Sequence, residues 1–481
     1  MNWRGVIRLL GILLSLYSIS FVPSWLLALG YADGEAAHFL IAGITSAVLG
    51  LLIWLPLKEE RAELGIREGF LIVALFWAVL GVVGAIPFIV GLHLDVTDGI
   101  FEAVSGFTTT GASVIIGIDE LPPSILYHRQ QIQWLGGMGV IVLAVAILPL
   151  LGVGGMQLYR AEASGIAKDE KLTPRITNTA RVLWILYLTL TLACALAYFA
   201  AGMSPFDAIG NAFSTVSTAG FSTHDASLAY FDSLAIELIC ILFMALGGIN
   251  FAVHFAVWKR RSPRPYLRDP EVRVYLLILL LSSLFIGLGL HLTATYTGLG
   301  ESLRKALFQV VSIMTTTGFV TASYFDWPRH LPLMLAILAY LGGCASSTAG
   351  GIKIVRVMIL GKIVARQMRV LVHPRALVLI KLGARHVPED IVYSIWGYYT
   401  LYMFTALILT VAMMAAGLDL ESAFGAVTAS INLLGPGLGD VGVTFTEMSA
   451  TVKWLAIFGM LVGRLEVFTL LILFSFAFWR H

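Results

Sequence analysis

GFTTTGAS, residues 106–113, sets three threonines and a glycine in a row inside a chain whose surroundings are mostly apolar. Strips of the same design recur three more times. DGIFEAVSGFTTTGAS from Asp98, DAIGNAFSTVSTAGFS from Asp207, KALFQVVSIMTTTGFV from Lys305 and SAFGAVTASINLLGPG from Ser422 align without gaps. Gly111, Gly220, Gly318 and Gly435 share one column, at spacings of 109, 98 and 117 residues. Three residues earlier stand Thr108, Ser217, Thr315 and Asn432, and six earlier stand Ser105, Ser214, Ser312 and Ala429. A period of about 100 residues is an internal repeat, and repetition defines a fold more firmly than any single motif.

Each strip lies between long apolar stretches. The chain has 481 residues, 58% hydrophobic and only 12% charged, about half the charge of a soluble domain. Runs of roughly 20 apolar residues, enough to cross a bilayer, fall near 6–30, 37–57, 69–91, 125–150, 178–202, 232–258, 271–292, 330–362 (interrupted), 391–416 and 450–478. Shorter semi-apolar segments near 97–108, 205–216, 300–314 and 419–431 each end in a glycine-containing strip. The expected fold is an all-α integral membrane protein. It has ten spans and four re-entrant pore segments, as four pseudo-repeated span–pore helix–span units around one pore, preceded by two extra N-terminal helices. The expected units are 1–60, 61–160, 161–262, 263–372 and 373–481. The apolar first span follows no secretory cleavage pattern and reads as retained.

Charge placement sets the orientation. Residues 258–273 hold six basic side chains against two acidic, and 362–385 hold six basic ones. Loops 58–68 and 160–175 are charged and mixed and fall on the same side by span counting. The opposite loops are acidic or neutral, apart from Arg304 and Lys305 in a short segment. Excess Lys and Arg mark the cytoplasmic face, so both termini are expected there and the short segments open from outside.

Non-helical backbone at membrane depth is tolerated only where protein buries it or where it lines a water-filled cavity. Glycine permits positive φ and a close approach of backbone to a ligand. Four such strips around one axis would offer rings of carbonyl oxygens that replace the hydration shell of a cation. Leading-column hydroxyls and one amide are expected to add oxygen ligands, and the short helices to aim their negative C-terminal ends at the ion. The competing reading, a polar break whose threonines bond back to the helix, is weakened by four aligned copies.

The chain resembles the Trk/Ktr/HKT superfamily of potassium transporters, and within it the TrkH/TrkG-type membrane subunit. Beyond SGFTTTGAS, the resemblance rests on QWLGGMGVIVLAVAILP (133–149), STAGFS (217–222), TTTGF (315–319), GGCASSTAGGIK (342–353), LVHPRALVLIKLG (371–383), NLLGPGLGD (432–440) and GRLE (463–466). The two extra N-terminal spans suit that type. The resemblance implies potassium uptake across the bacterial cytoplasmic membrane. It implies a homodimer with one pore per protomer and a TrkA-type cytoplasmic nucleotide-binding regulatory partner. The implied ion ligands are the carbonyls of Thr109 and Thr110, Thr218 and Ala219, Thr316 and Thr317, and Leu433 and Leu434. A glycine at all four filter positions resembles the potassium-selective pattern; the alternative is a sodium-permeable or proton-coupled carrier of the same family.

The glycine-rich break GGCASSTAGG at 342–351 cannot form a stable lipid-facing helix. By resemblance it is an intramembrane gating loop (Gly342, Gly343, Ser346, Ser347, Thr348, Gly350, Gly351, Lys353). By residue type alone it equally suits close helix packing. Arg464 sits inside the last span, where a charge is costly and faces a bundle interior or water. By resemblance it is a positive barrier to the cation beneath the filter; the alternative is that it only ties the loop or a neighbouring span. Glu466, two residues on, is not its simple helical partner.

Other signals are weaker. GPGLGD (435–440) and GGMG (136–139) lack the strand–helix–strand context of dinucleotide binding. Cys194, Cys240 and Cys344 read as small packing residues. His128, His224 and His330 read as outer-loop residues, and Glu102 and Asp207 either attract cations or satisfy local donors. No catalytic constellation, bound cofactor or nucleic-acid partner is expected.

Overall fold

The computed structural model describes residues 1–59, 65–142, 176–383 and 385–480. Helices α1 (Trp3–Tyr17), α2 (Phe21–Tyr31) and α3 (Ala36–Trp54) form an N-terminal hairpin. They are followed by α4 (Ile66–Gly84), α5 (Ile86–Gly91), α6 (Val96–Phe107), α7 (Pro123–Val142), α8 (Ile176–Ala200) and α9 (Pro205–Ser217). Next come α10 (Leu234–Gly247), α11 (Phe251–Arg260), α12 (Pro270–Leu292), α13 (Leu299–Met314), α14 (His330–Leu341) and α15 (Ile354–Val372). The chain continues through α16 (Glu389–Ala415), α17 (Leu420–Ile431), α18 (Ala450–Arg464) and α19 (Glu466–Leu471). The one departure from an all-α reading among the described residues is a two-residue antiparallel pair, Lys381–Leu382 with Arg385–His386.

Six helical stretches among the described residues are long and apolar enough to cross a membrane, and eight if each of two bent pairs counts as one span. The bent pairs are α10 with α11, at 100°, and α18 with the helix after it, at 109°. Of the ten expected spans, 125–150 runs past residue 142 and out of the described residues. The other, 330–362, is split into the 12-residue α14 and the 19-residue α15 around 342–353. The expected boundaries at 60/61 and 160/161, and the loop 160–175, also lie outside the described residues.

The surface fits a lipid solvent. Leu192, Leu196, Leu280, Leu281, Leu407 and Ile408 are all more than half exposed, on the long helices α8, α12 and α16. A water-soluble monomer rarely exposes such contiguous apolar area, so the chain is a multi-pass membrane protein. The interior holds two large apolar clusters. One draws mainly on residues 14–132 and 398–470, the other mainly on 138–354.

Four short helices stand apart. α6, α9, α13 and α17 have 12, 13, 16 and 12 residues. At 1.5 Å per residue they are too short to cross a bilayer core. Sequence sets where two of them start: Ser204 caps α9 by accepting from the Asp207 amide, and Asp419 caps α17 by accepting from Glu421 and Ser422. Their C-terminal turns are buried, and all four end in the repeated strips.

Candidate functional site

The four strips share one backbone. After each short helix comes a non-glycine residue in the left-handed region: Thr109 (φ 56°), Thr218 (φ 52°), Thr316 (φ 56°) and Leu433 (φ 61°). Two residues later the column glycine is also at positive φ, from 79° at Gly111 to 90° at Gly435. The residue before each glycine returns its N–H to the helix, five residues back: Thr110 to Ser105 O (2.9 Å), Ala219 to Ser214 O (2.9 Å), Thr317 to Ser312 O (2.8 Å) and Leu434 to Ala429 O (2.9 Å). With the shorter bonds from Thr109 to Gly106, Thr218 to Thr215, Thr316 to Ile313 and Leu433 to Ser430, this is a Schellman ending repeated four times. Glycine normally takes the left-handed position. Threonine or leucine there costs on the order of 1–3 kcal/mol each and persists only where the surroundings over-determine it.

The surroundings are the other strips. A Cβ built on Gly111 would fall on the carbonyl oxygen of Ala219, one on Gly220 on that of Thr317, and one on Gly318 on that of Leu434. A Cβ on Gly435 would lie 2.8 Å from the carbonyl oxygen of Thr110. Each glycine therefore faces the residue before the next strip's glycine, in the order first, second, third, fourth and back to first. The circuit closes, so four stretches far apart in sequence surround a common centre.

The leading column is tied to its own helices. Thr108, Ser217 and Thr315 donate their hydroxyls to the carbonyls of Val104, Phe213 and Val311, and Asn432 Nδ2 donates to Thr428 O (2.7–2.9 Å). All four side chains thus bond back to the carbonyl four residues earlier, instead of turning their donors away from the helix. The physical reason is the helix end, which leaves carbonyls without intrahelical partners.

Props behind the ring come from residues that the motif alignment passed over. Nine residues before each glycine stand Glu102, Asn211, Gln309 and Ala426. Glu102 accepts from Ser113 Oγ (3.0 Å) and the Val114 amide (3.0 Å), just past the first strip. Asn211 Nδ2 donates to Thr223 Oγ1 (3.2 Å), and Gln309 Nε2 donates to Ala322 O (3.2 Å). In three strips, therefore, a polar side chain ties the chain leaving the ring to the helix entering it. α7 adds two more supports. Arg129 pairs with Glu102 (2.7 Å), both essentially unexposed, and its guanidinium lies 4.0 Å over the Phe221 ring. Gln133 accepts from Ser214 Oγ (2.6 Å) and donates to the Ala219 carbonyl (2.8 Å). Glu102 is thus a satisfied acceptor hub. Asp207 likewise accepts from Ser204 and Thr223 (both 2.7 Å).

The 342–353 loop packs against this ring. Thr218 Oγ1 donates to Thr348 Oγ1 (3.1 Å), and the Gly350 amide donates to Thr316 Oγ1 (2.6 Å). A Cβ on Gly350 would fall on the Asn432 carbonyl. Three strips are touched directly. Arg464 reaches the loop at Thr348 O (3.4 Å) and α7 at Gly136 O (2.8 Å). The loop is not a helical packing site: Gly342, Ser346, Gly351 and Lys353 are all at positive φ. Internally, Ser347 Oγ donates to Cys344 O (2.6 Å), the Ile354 amide to Gly343 O (3.0 Å), and Lys353 Nζ to Ala349 O. Glu466 turns away from Arg464 and pairs with Arg356 (2.8 Å).

The histidines fall in different places. His128 is on no loop. α7 starts at Pro123, so His128 lies in its second turn, 1% exposed, among Phe21, Phe39 and Phe88, with Nε2 facing Gly84 O (3.1 Å). His224 does lie on a loop, stacked on Tyr230 and bonded to Asp119 (2.5 Å). Burial pushes the Asp119 carboxyl up, but hydrogen bonds from His224 and Asp225 outweigh it and hold it below the usual range. His330 opens α14. The three cysteines are buried and free.

A closed ring of four re-used strips in an apolar helical body defines a class of membrane transport protein, and comparison places the chain within it. The TrkH family, described as a cation transport protein, matches residues 35–479, and the chain belongs to that family. The Trk system potassium uptake protein TrkH of Halomonas elongata is 48% identical over 483 residues, covering all of both chains. The Trk system potassium uptake protein TrkG of Escherichia coli K12 is 39% identical over 479 residues, covering 99% of each. The crystal structure of the potassium transporter TrkH from Vibrio parahaemolyticus matches with a TM-score of 0.92 at 45% identity, covering both chains fully.

Proposed function

We propose that the chain is a potassium-selective uptake pore of the cytoplasmic membrane, with the four strips as its selectivity filter. The observation that carries this reading is the closed glycine-to-carbonyl circuit. A dehydrated cation needs oxygens on all sides, and uncharged carbonyls bind it firmly enough to enter and weakly enough to leave. The amides of Thr109, Thr110, Thr218, Ala219, Thr316, Thr317, Leu433 and Leu434 are spent on their own helices, so these residues can offer the ring only oxygens. The four short helices end at the ring with their negative poles toward it. The ligands are the carbonyls of Thr109, Thr110, Thr218, Ala219, Thr316, Thr317, Leu433 and Leu434. The relatives named above are potassium uptake proteins, which supports potassium as the ion.

In this reading the pore has ten spans, with α6, α9, α13 and α17 as re-entrant pore helices in units 61–160, 161–262, 263–372 and 373–481. Residues 1–60 form an added pair, and both termini are cytoplasmic. Loop 342–353 is the gate and Arg464 its positive companion. The protein works as a homodimer with a cytoplasmic nucleotide-binding regulatory partner of the TrkA type.

The test is ion uptake by the purified chain in proteoliposomes, comparing wild type with Gly111→Ser. Serine at φ 79° is strained, and its Cβ collides with the Ala219 carbonyl. Wild type is expected to prefer potassium to sodium strongly. The variant is expected to lose that preference by about tenfold or more, the effect of a misplaced ligand worth roughly 1.4 kcal/mol. A wild type indifferent to potassium, or a fully selective variant, sinks the reading.

A further inference from the structure

The 342–353 loop is also held by the break between α10 and α11. The α10–α11 break leaves backbone groups without helical partners, and the loop supplies them. Gly248 O accepts from the Cys344 amide (2.8 Å), Gly247 O from the Thr348 amide (3.3 Å), and the Phe251 amide donates to Ser346 O (3.2 Å). These contacts are backbone to backbone.

One side chain joins them. Asp269 caps α12, its Oδ1 accepting from the Glu271 and Val272 amides (2.9 and 3.1 Å). That cap fixes Glu271 in the first turn, 1% exposed. Glu271 Oε1 then accepts two amides of the loop region, Ala345 (2.7 Å) and Val355 (3.1 Å). Ala345 stands near the loop's start and Val355 just past its end. A single carboxylate oxygen therefore draws the loop's two rims to one point.

We propose that Glu271 is a positioning residue for the gate, pinning both rims of loop 342–353 in the arrangement that obstructs the ring. The proposal rests on the reading of that loop as the gate. Hydrogen bonds from amides to a carboxylate are roughly twice as strong as neutral ones. Losing them strands two buried amides in the obstructing arrangement, which disfavours it. Glu271 and the Phe251 grip flank the same connection, residues 261–269, which holds Arg261, Arg264 and Arg268. A displacement of that connection moves both grips on the loop at once, so the loop can be released from outside the spans without touching the strips.

The experiment measures potassium flux and potassium-to-sodium preference of the full-length chain in proteoliposomes, without any partner, for wild type, Glu271→Ala, Glu271→Asp and Glu271→Gln. Glu271→Ala is expected to raise flux per incorporated protein by about tenfold, the shift expected when a charge-assisted bond holding one of two states is lost. Its ion preference stays at the wild-type value, because the strips are untouched. Glu271→Gln keeps an acceptor oxygen at the same reach and falls between wild type and Glu271→Ala. Glu271→Asp keeps the charge but withdraws it by one methylene, so its flux also rises; it decides the matter if the alanine variant fails to fold. Flux at or below wild type in every variant overturns the assignment, as does a changed ion preference, which would place Glu271 in support of the filter. A wild type without potassium preference overturns the pore reading itself, whereas a selective wild type with silent variants overturns only the role of Glu271.

Discussion

Replacing Glu102 by alanine is expected to destabilise the protein by about 3–5 kcal/mol, the cost of stranding one partner of a buried ion pair. Glu102 and Arg129 are 0% and 1% exposed at the side chain, so neither charge can turn to solvent. The same change removes the acceptor for Ser113 and for the Val114 amide. Arg129 also lies over Phe221 and donates to Ser113 Oγ (3.1 Å), so the damage reaches the exits of both the first and the second strip. The measurement is thermal unfolding in detergent, with potassium preference recorded on the protein that survives. A Glu102→Leu, Arg129→Leu double variant removes both charges and is expected to cost less than either single change. A single variant that melts with wild type would show that the pair is not what holds the exits.

Arg464→Ala is expected to raise basal potassium flux by about tenfold, with selectivity kept. Among the described residues no acidic side chain pairs with Arg464; it donates to the carbonyls of Thr348 and Gly136, and its guanidinium lies 5.4 Å over the Trp77 ring. A buried guanidinium without a counter-charge is costly, and its field opposes a cation arriving from the ring. Two causes separate cleanly. Arg464→Lys keeps the charge but cannot fork to two carbonyls. If the charge is the barrier, the lysine variant conducts like wild type; if the fork holds the loop, it conducts like alanine. Unchanged flux in Arg464→Ala, at equal incorporation, sinks both.

The strips were legible because they repeat, and the gap-free alignment already placed Gly111, Gly220, Gly318 and Gly435 in one ring column. Three residues further back, the same alignment sets Asn211 and Gln309 beside the Glu102 already singled out, a polar column that went unread. The side chains of Thr108, Ser217, Thr315 and Asn432 spend a donor on the end of their own helix, which residue type alone does not reveal. Residue type says that an oxygen is available, but the helix end decides where it points. The left-handed Thr109, Thr218, Thr316 and Leu433 gave no signal, because the usual glycine is missing. His128 was read as an outer-loop residue although the expected span 125–150 already contained it, and it is buried in the second turn of α7. Arg129, Gln133 and Glu271 act across tens of residues, through contacts that no spacing encodes. The loop at 342–351 was plain as a break, but its docking on α10–α11 depended on a second break at 248–250, hidden within one apolar run.

The strained column bears on biogenesis. A left-handed threonine or leucine in each strip is unfavourable until its neighbours arrive. Membrane helices insert one after another as synthesis proceeds, so the first three strips wait for the fourth, which leaves the ribosome some 117 residues after the third. A nascent chain stopped before Gly435 would hold the helices up to α17 and yet leave the circuit of strips open. The strips should therefore set together in a single late step, and shortened chains should carry unset strips as well as missing helices.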